Sequence, residues 1–229
     1  MFKDNKILIL GLARSGYSAA KILIERGNEV ILNDSKEEEK LDKDQISELR
    51  ELGVELIFGS HPDDLLDNSF DYLIKNPGVP NTHKYVVKAQ ELGVEVLNEV
   101  EMTYRLLPDN IKIIGITGTN GKTTTTSLTY EIMKSAFGDK VHLAGNIGYP
   151  FCSILNDLVP GDIVVMEVSC QQLNNMSTYK PDVALMTNLS PAHIDFFGTY
   201  EKYKEVKARL FKNQTSTDVA ILNIDNDDV

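Results

Sequence analysis

The segment Gly115-Ile116-Thr117-Gly118-Thr119-Asn120-Gly121-Lys122-Thr123-Thr124 combines the residue types that hold phosphate. Glycines allow a tight turn and let backbone amides approach phosphate oxygens with no Cβ in the way. Gly118, Thr119, Asn120, Gly121 and Thr124 would form that cradle. Lys122 can reach the outer phosphates of a nucleotide, and Thr123 offers a hydroxyl to Mg²⁺. The preceding run KIIGIT (112–117) reads as a strand. Residues 122–136 read as a helix whose N-terminus adds free N–H groups and a partial positive charge. Generic Walker spacing wants a glycine where Ile116 stands, so the motif fails by its letter. The plain alternative is a glycine-rich turn carrying a surface lysine.

A carboxylate is expected to face this loop. Glu167 closes DIVVMEV (162–168), read as the central strand of its unit. Ligands of open α/β sheets collect at the carboxyl ends of strands, which places Glu167 to hold Mg²⁺. His193 lies in the loop after the next strand, DVALMTN (182–188); such a histidine can equally be a surface residue. His61, His83 and His142 lack even this context and read as structural or exposed. Near the N-terminus, Gly11-Leu12-Ala13-Arg14-Ser15-Gly16 follows a strand and opens a helix. It is a dinucleotide fingerprint with Ala13 in place of the second glycine, and the extra methyl weakens NAD or FAD as ligand. A structural turn fits there as well as a site. Asp34 closes the second strand, where it can bind a ribose or simply cap a turn.

The elements that must position these residues alternate strand, turn, helix. KILIL (6–10), EVILN (29–33), VELIF (54–58), DYLIK (71–75) and VEVLN (94–98) read as strands. Helical spacing appears at 15–26, 42–51 and 83–92, with Gly27, Gly53 and Gly93 as stops. A second series follows: 112–117, the helix at 122–136, VHLAG, 162–168, 182–188, a helix near 200–212 and DVAILNI (218–224). This order implies an α/β fold: a Rossmann-like parallel-sheet N-terminal domain over 1–108 and a second parallel-sheet domain carrying the phosphate loop over 109–229, which a family resemblance carried by these motifs implies is a P-loop-type central ATPase domain. The polar break Pro108-Asp109-Asn110 marks the expected boundary. The second domain reads as incomplete, since the chain stops just after a strand; that a C-terminal domain is absent is what the family resemblance implies.

The 229 residues suffice for two domains, and 42% apolar with 25% charged composition is that of an ordinary globular protein. No apolar stretch is long enough to span a membrane, and the N-terminus lacks a signal-peptide core. Cys152 and Cys170 suggest neither a disulfide framework nor a metal cluster, which fits a cytoplasmic protein. The formal net charge of −11 opposes nucleic acid, so a nucleotide must be held by local devices. KEEEKLDKD (36–44) reads as a solvated charged stretch.

The GTNGKTT loop resembles that of the Mur ligase and folylpolyglutamate synthase superfamily. GLARSG at 11–16, Asn33-Asp34, and NPGVP at 76–80 together resemble the N-terminal domain of the Mur ligases that add D-glutamate. The resemblance covers essentially the whole chain. It implies that Arg14, Ser15, Asp34, Ser35 and Gly78 lie around the uracil and diphosphate of a UDP-sugar, and that Asn146 and Ser169 approach its sugar-diphosphate and reacting carboxylate. It also implies that Thr123, Glu167 and His193 surround Mg²⁺, joined by Lys207 as a carbamate whose oxygens are hard donors. The family continues Ser-Ser-Phe-Gln where this chain has Ser169-Cys170-Gln171-Gln172, so local packing differs at Gln171.

The activity so implied is ATP-dependent joining of D-glutamate to UDP-N-acetylmuramoyl-L-alanine through an acyl phosphate, in cytoplasmic peptidoglycan precursor synthesis. The partners are those substrates, ATP and Mg²⁺, with no nucleic acid or membrane, in a monomer. A 229-residue piece is expected to bind the UDP-substrate, hold ATP poorly and form no amide. The alternatives are another Mur ligase or folylpolyglutamate synthase-like ligase, or a non-catalytic nucleotide-binding module with NAD(H) on its first domain.

Overall fold

Ile7, Leu8, Ile9 and Leu10 are all shut away from solvent, as an unbroken apolar run dictates for a parallel sheet covered on both faces. The structure, a computed structural model describing residues 1–229, places them in β1 (Lys6–Leu10). The chain continues through α1 (Ala13–Glu25), β2 (Glu29–Asp34), α2 (Lys43–Glu51), β3 (Glu55–Phe58), β4 (Tyr72–Lys75), α3 (Lys84–Leu92), β5 (Glu95–Leu97) and α4 (Glu99–Tyr104). The strands are parallel in the order β3-β2-β1-β4-β5. Strand order therefore reverses beside β1, and the crevice outside β1 and β4 is where such sheets bind ligands. One face buries Leu8, Leu10, Ile31, Leu73, Tyr85 and Val86 in a common cluster.

The turn after β1 tolerates no substitute at Gly16: a Cβ there would lie 1.9 Å from the carbonyl oxygen of Gly11. The glycine lets α1 start directly against the strand end. Gly11 N donates to Asn33 O at 2.8 Å, and Asn76 N to Leu10 O at 2.9 Å, which ties the loops after β1, β2 and β4 together.

The second unit runs β6 (Lys112–Thr117), α5 (Lys122–Phe137), β7 (Val141–Gly145), β8 (Ile163–Glu167), α6 (Cys170–Leu173), β9 (Val183–Met186), α7 (Ile194–Phe197), α8 (Tyr200–Ala208) and β10 (Val219–Leu222). Its parallel sheet has the order β10-β9-β6-β8-β7. The centre is thus β6, the strand that leads into the glycine loop; the 162–168 strand, expected there, lies one place aside as β8. Register sets Ile116 and Gly145 on either side of Glu167. The helix expected to 212 ends at Ala208 and tightens into a 3-10 turn, Arg209–Phe211.

α5 is 16 residues long yet fully buries only Thr126. Tyr130 and Met133 pack on Ile116, Val141 and Val165, while Leu128 and Ile132 face water. Every residue of β10 is exposed.

The chain divides into compact units Met1–Met102 and Thr103–Val229, where the sequence reading puts the boundary at 108. Contacts explain the difference. Arg105 Nη2 donates to Ser177 Oγ at 3.0 Å, and Tyr104 meets Tyr179 edge to face at 5.4 Å, so these residues count with the second unit. No helix is long and apolar enough to cross a membrane.

Candidate active site

The glycine loop is held from three directions. From the loop after β9, Asn188 O accepts from Thr119 N at 2.9 Å, and Asn188 Oδ1 accepts from Asn120 N at 3.0 Å. From α8, Tyr203 OH pairs with Thr119 Oγ1 at 2.9 Å. From below, Lys207 Nζ donates to Gly118 O at 2.5 Å and to Thr117 Oγ1 at 3.1 Å. Gly118 has φ +144°, and a Cβ there would lie 1.9 Å from Thr187 Oγ1, so both conformation and space demand glycine. Gly121, at φ +78°, precedes α5 with no side-chain cap. The first-turn amides of that helix are left for an anion. Lys122 Nζ folds back to Thr119 O at 2.8 Å. Thr124 stands exposed beside it.

Glu167 is buried, and both its oxygens are engaged. Thr123 Oγ1 donates to Oε2 at 2.7 Å, and Asn146 Nδ2 donates to Oε1 at 2.7 Å. Asn146 N also bonds Glu167 O at 2.9 Å. The first turn of α5 and the adjacent ends of β7 and β8 thus gather three residues far apart in sequence. Hard oxygen donors of this kind suit Mg²⁺, which takes one or two carboxylates together with phosphate oxygens.

His193 is placed less directly. It occupies the left-handed region (φ +52°) at the start of α7, and its ring centroid lies 6.2 Å from that of Tyr203. It reaches the loop through Tyr203 and Thr119; no hydrogen bond joins it to Thr123 or Glu167. No three His, Cys, Asp or Glu side chains of the chain form a metal cluster. Ser169 caps α6, accepting from Gln172 N, with Gln172 Oε1 accepting from Ser169 N in return. Gln171 accepts from Cys170 Sγ at 3.1 Å.

Lys207 is 1% exposed. Burial pushes its ammonium down to about 8, with Lys122 pushing the same way and Glu167 opposing. At pH 7 such an amine is neutral in roughly a tenth of molecules, about 300-fold more than an ordinary lysine.

In the first unit the three loops after β1, β2 and β4 meet. Asp34 Oδ2 accepts from Leu12 N at 2.9 Å and Oδ1 from Lys36 N at 2.9 Å, so the carboxylate acts as a turn residue at both ends. Asn76, which opens the NPGVP motif but is not among the expected site residues, donates to Ser15 Oγ at 3.1 Å and accepts from Gly78 N at 3.0 Å. Arg14, Ser35 and Gly78 are exposed around this frame. Asn33 is fully buried, donates to Ile57 O and Ser60 O, and pairs with His61 Nδ1. His83 caps α3 through Tyr85 N, and His142 meets Asp162, so all three remaining histidines have structural partners. The strand-end asparagines Asn33, Asn76 and Asn188 were the readable signal for these anchors, since a short amide beside a turn commonly bonds its backbone.

Fold and site together define a two-unit, parallel-sheet α/β protein whose second unit carries a phosphate loop facing a carboxylate. The sequence profile of the Mur ligase MurD-like N-terminal domain matches residues 5–98, and that of the Mur ligase middle domain matches residues 116–229. The chain belongs to the Mur ligase family. It is 47% identical over 224 residues to the UDP-N-acetylmuramoylalanine–D-glutamate ligase of Enterococcus hirae, covering 96% of this chain and 47% of that protein. It is 43% identical over 226 residues to the ligase of the same name from Streptococcus mutans serotype c, covering 99% and 49%. The chain thus spans about half the length of the curated relatives it matches. Among solved structures, the UDP-N-acetylmuramate:L-alanyl-gamma-D-glutamyl-meso-diaminopimelate ligase from Neisseria meningitides shares the fold, with a TM-score of 0.61 at 18% identity over 98% of this chain and 72% of that one.

Proposed function

We propose that this chain forms the UDP-substrate and ATP-phosphate sites of a ligase that joins D-glutamate to UDP-N-acetylmuramoyl-L-alanine in peptidoglycan precursor synthesis. The observation that carries this reading is the wiring of the loop: Thr123 bonded to Glu167, Glu167 to Asn146, and Gly118 to buried Lys207. The high identity to relatives named for that reaction supports the choice of substrates.

In this reading the substrate carboxylate attacks the γ-phosphorus of ATP, the bond to the bridging oxygen breaks, and ADP leaves. The amine of D-glutamate then attacks the acyl carbon, phosphate departs, and the amine sheds a proton. The chemistry asks the protein mainly to bring two anions together and neutralise them. Lys122 and the amides opening α5 bind the phosphates, and Asn146 orients the carboxylate. Thr123, Glu167, His193 and a carbamylated Lys207 would hold Mg²⁺, whose charge stabilises the transferring phosphoryl group. The low basicity of Lys207 favours the neutral amine that carbamylation requires. Arg14, Ser15, Asp34, Ser35 and Gly78 would surround the UDP group, with Ser169 near the sugar-diphosphate. Capture of D-glutamate is assigned to the part of the relatives' length that this chain does not span.

Titration calorimetry with UDP-N-acetylmuramoyl-L-alanine tests the reading. Saturable binding is expected, with none for NAD. A folded chain that binds NAD and ignores the UDP-substrate would remove it.

A further inference from the structure

Lys75 ends β4 and is 1% exposed. Buried charges are ordinarily paired, yet this ammonium makes one hydrogen bond, to Val79 O at 2.6 Å, and no ion pair. It lies among Ser15, Gly16, Asn76 and Glu99 in a packed pocket with no room for a water molecule, beneath the 76–79 loop. α1 starts at the same place, and its N-terminus has neither a side-chain cap nor an acidic residue in its first turn. Two features that favour an anion thus meet at the crevice where the strand order reverses; Asp34 accepts from Leu12 N at the head of α1, while Lys75 makes no ion pair.

We propose that Lys75 is the buried counter-charge for the diphosphate of the nucleotide ligand, acting from beneath the 76–79 loop while the opening turn of α1 receives the phosphates. The inference rests on the reading of the first unit as a UDP-binding domain and adds the residue that selects for the diphosphate. Around Lys75, β1 and β4 present aliphatic side chains, α1 presents Ser15 and Gly16, and the loop presents Asn76. Glu99 of α4 is the other ionisable group lining that packed pocket, and it has a partner of its own.

Burial pushes the Lys75 ammonium down to about 8 in the free protein. A bound diphosphate favours the charged form and raises that value, so binding above pH 8 takes up a proton. Affinity for a diphosphate should then be flat below pH 8 and fall with rising pH above it, by up to about tenfold per unit.

The test uses UDP and uridine as probes, titrated calorimetrically into the chain and into Lys75→Met at pH 7 and across pH 7–9.5. The expected result is a ratio of UDP to uridine affinity reduced about tenfold or more in the variant, with that ratio, in which uracil ionisation cancels, falling above pH 8 in the parent and flattened in the variant. Thermal melting verifies that the variant folds, and the parent's own pH profile stands should it not. An unchanged ratio, or a parent profile flat through pH 9.5, overturns the role of Lys75. Failure of the parent to bind UDP, uridine or UDP-N-acetylmuramoyl-L-alanine overturns instead the UDP-domain reading, and this inference with it.

Discussion

Lys122 Nζ rests on Thr119 O, a contact within its own loop that the protein can give up to a phosphate without disturbing any packed element. Replacing Lys122 with alanine should therefore leave the fold intact while lowering turnover of the complete enzyme on the order of a hundredfold, as for other lost transition-state donors. Steady-state kinetics beside a melting curve separates the two effects. Near-normal ligation by Lys122→Ala would refute the phosphate role. Glu167 differs, because two neutral donors, Thr123 and Asn146, converge on it, so its removal would disturb geometry as well as charge.

The strands and most helices could be read from apolar runs and glycine stops, because a sheet covered on both faces needs unbroken hydrophobic segments. The glycine loop was legible too, since its residue types answer to one local geometry. Long-range register was not. Nothing in the sequence says that Asn146 and Glu167 share a hydrogen bond; the pairing of β7 with β8 sets it. Lys75 was equally hidden, since a lysine at a strand end ordinarily reaches water, and only the folded 76–79 loop shuts it in. At this scale Gly16→Ala is the sharpest test. The added methyl would meet Gly11 O, so either α1 or the β1 turn must shift, at about 1–3 kcal/mol. Chemical denaturation should show that loss, whereas Gly27→Ala, with open space around its Cβ, should lose less, through backbone strain alone.

Each unit keeps one lysine, Lys75 or Lys207, out of water with a basicity lowered to about 8. In the unfolded chain both return to the ordinary 10.5. Between those values the unfolded state binds more protons, so stability should rise with pH from about 8, by up to about 1.4 kcal/mol per unit for each lysine. Buried tyrosines act oppositely: Tyr85 is pushed up to about 12 and Tyr179 further still, both mainly by burial. They remain neutral in the fold while ionising in the unfolded chain, so stability should decline again above pH 10. Urea titrations of the ligand-free chain in CO₂-free buffer should accordingly show a maximum near pH 10; a steady decline from pH 8 would mean that the lysines are not shielded.

α5 begins with amides that no side chain caps, and it lies on the sheet through Tyr130 and Met133, with Thr126 its one fully buried residue. A helix with one face in water opens locally more readily than the buried strands it covers. Its backbone amides should therefore exchange with deuterium early in the free protein, and an anion seated on its first turn should slow that exchange along its whole length. Nucleotide occupancy would then be readable from Tyr130 and Met133, well away from the phosphates themselves.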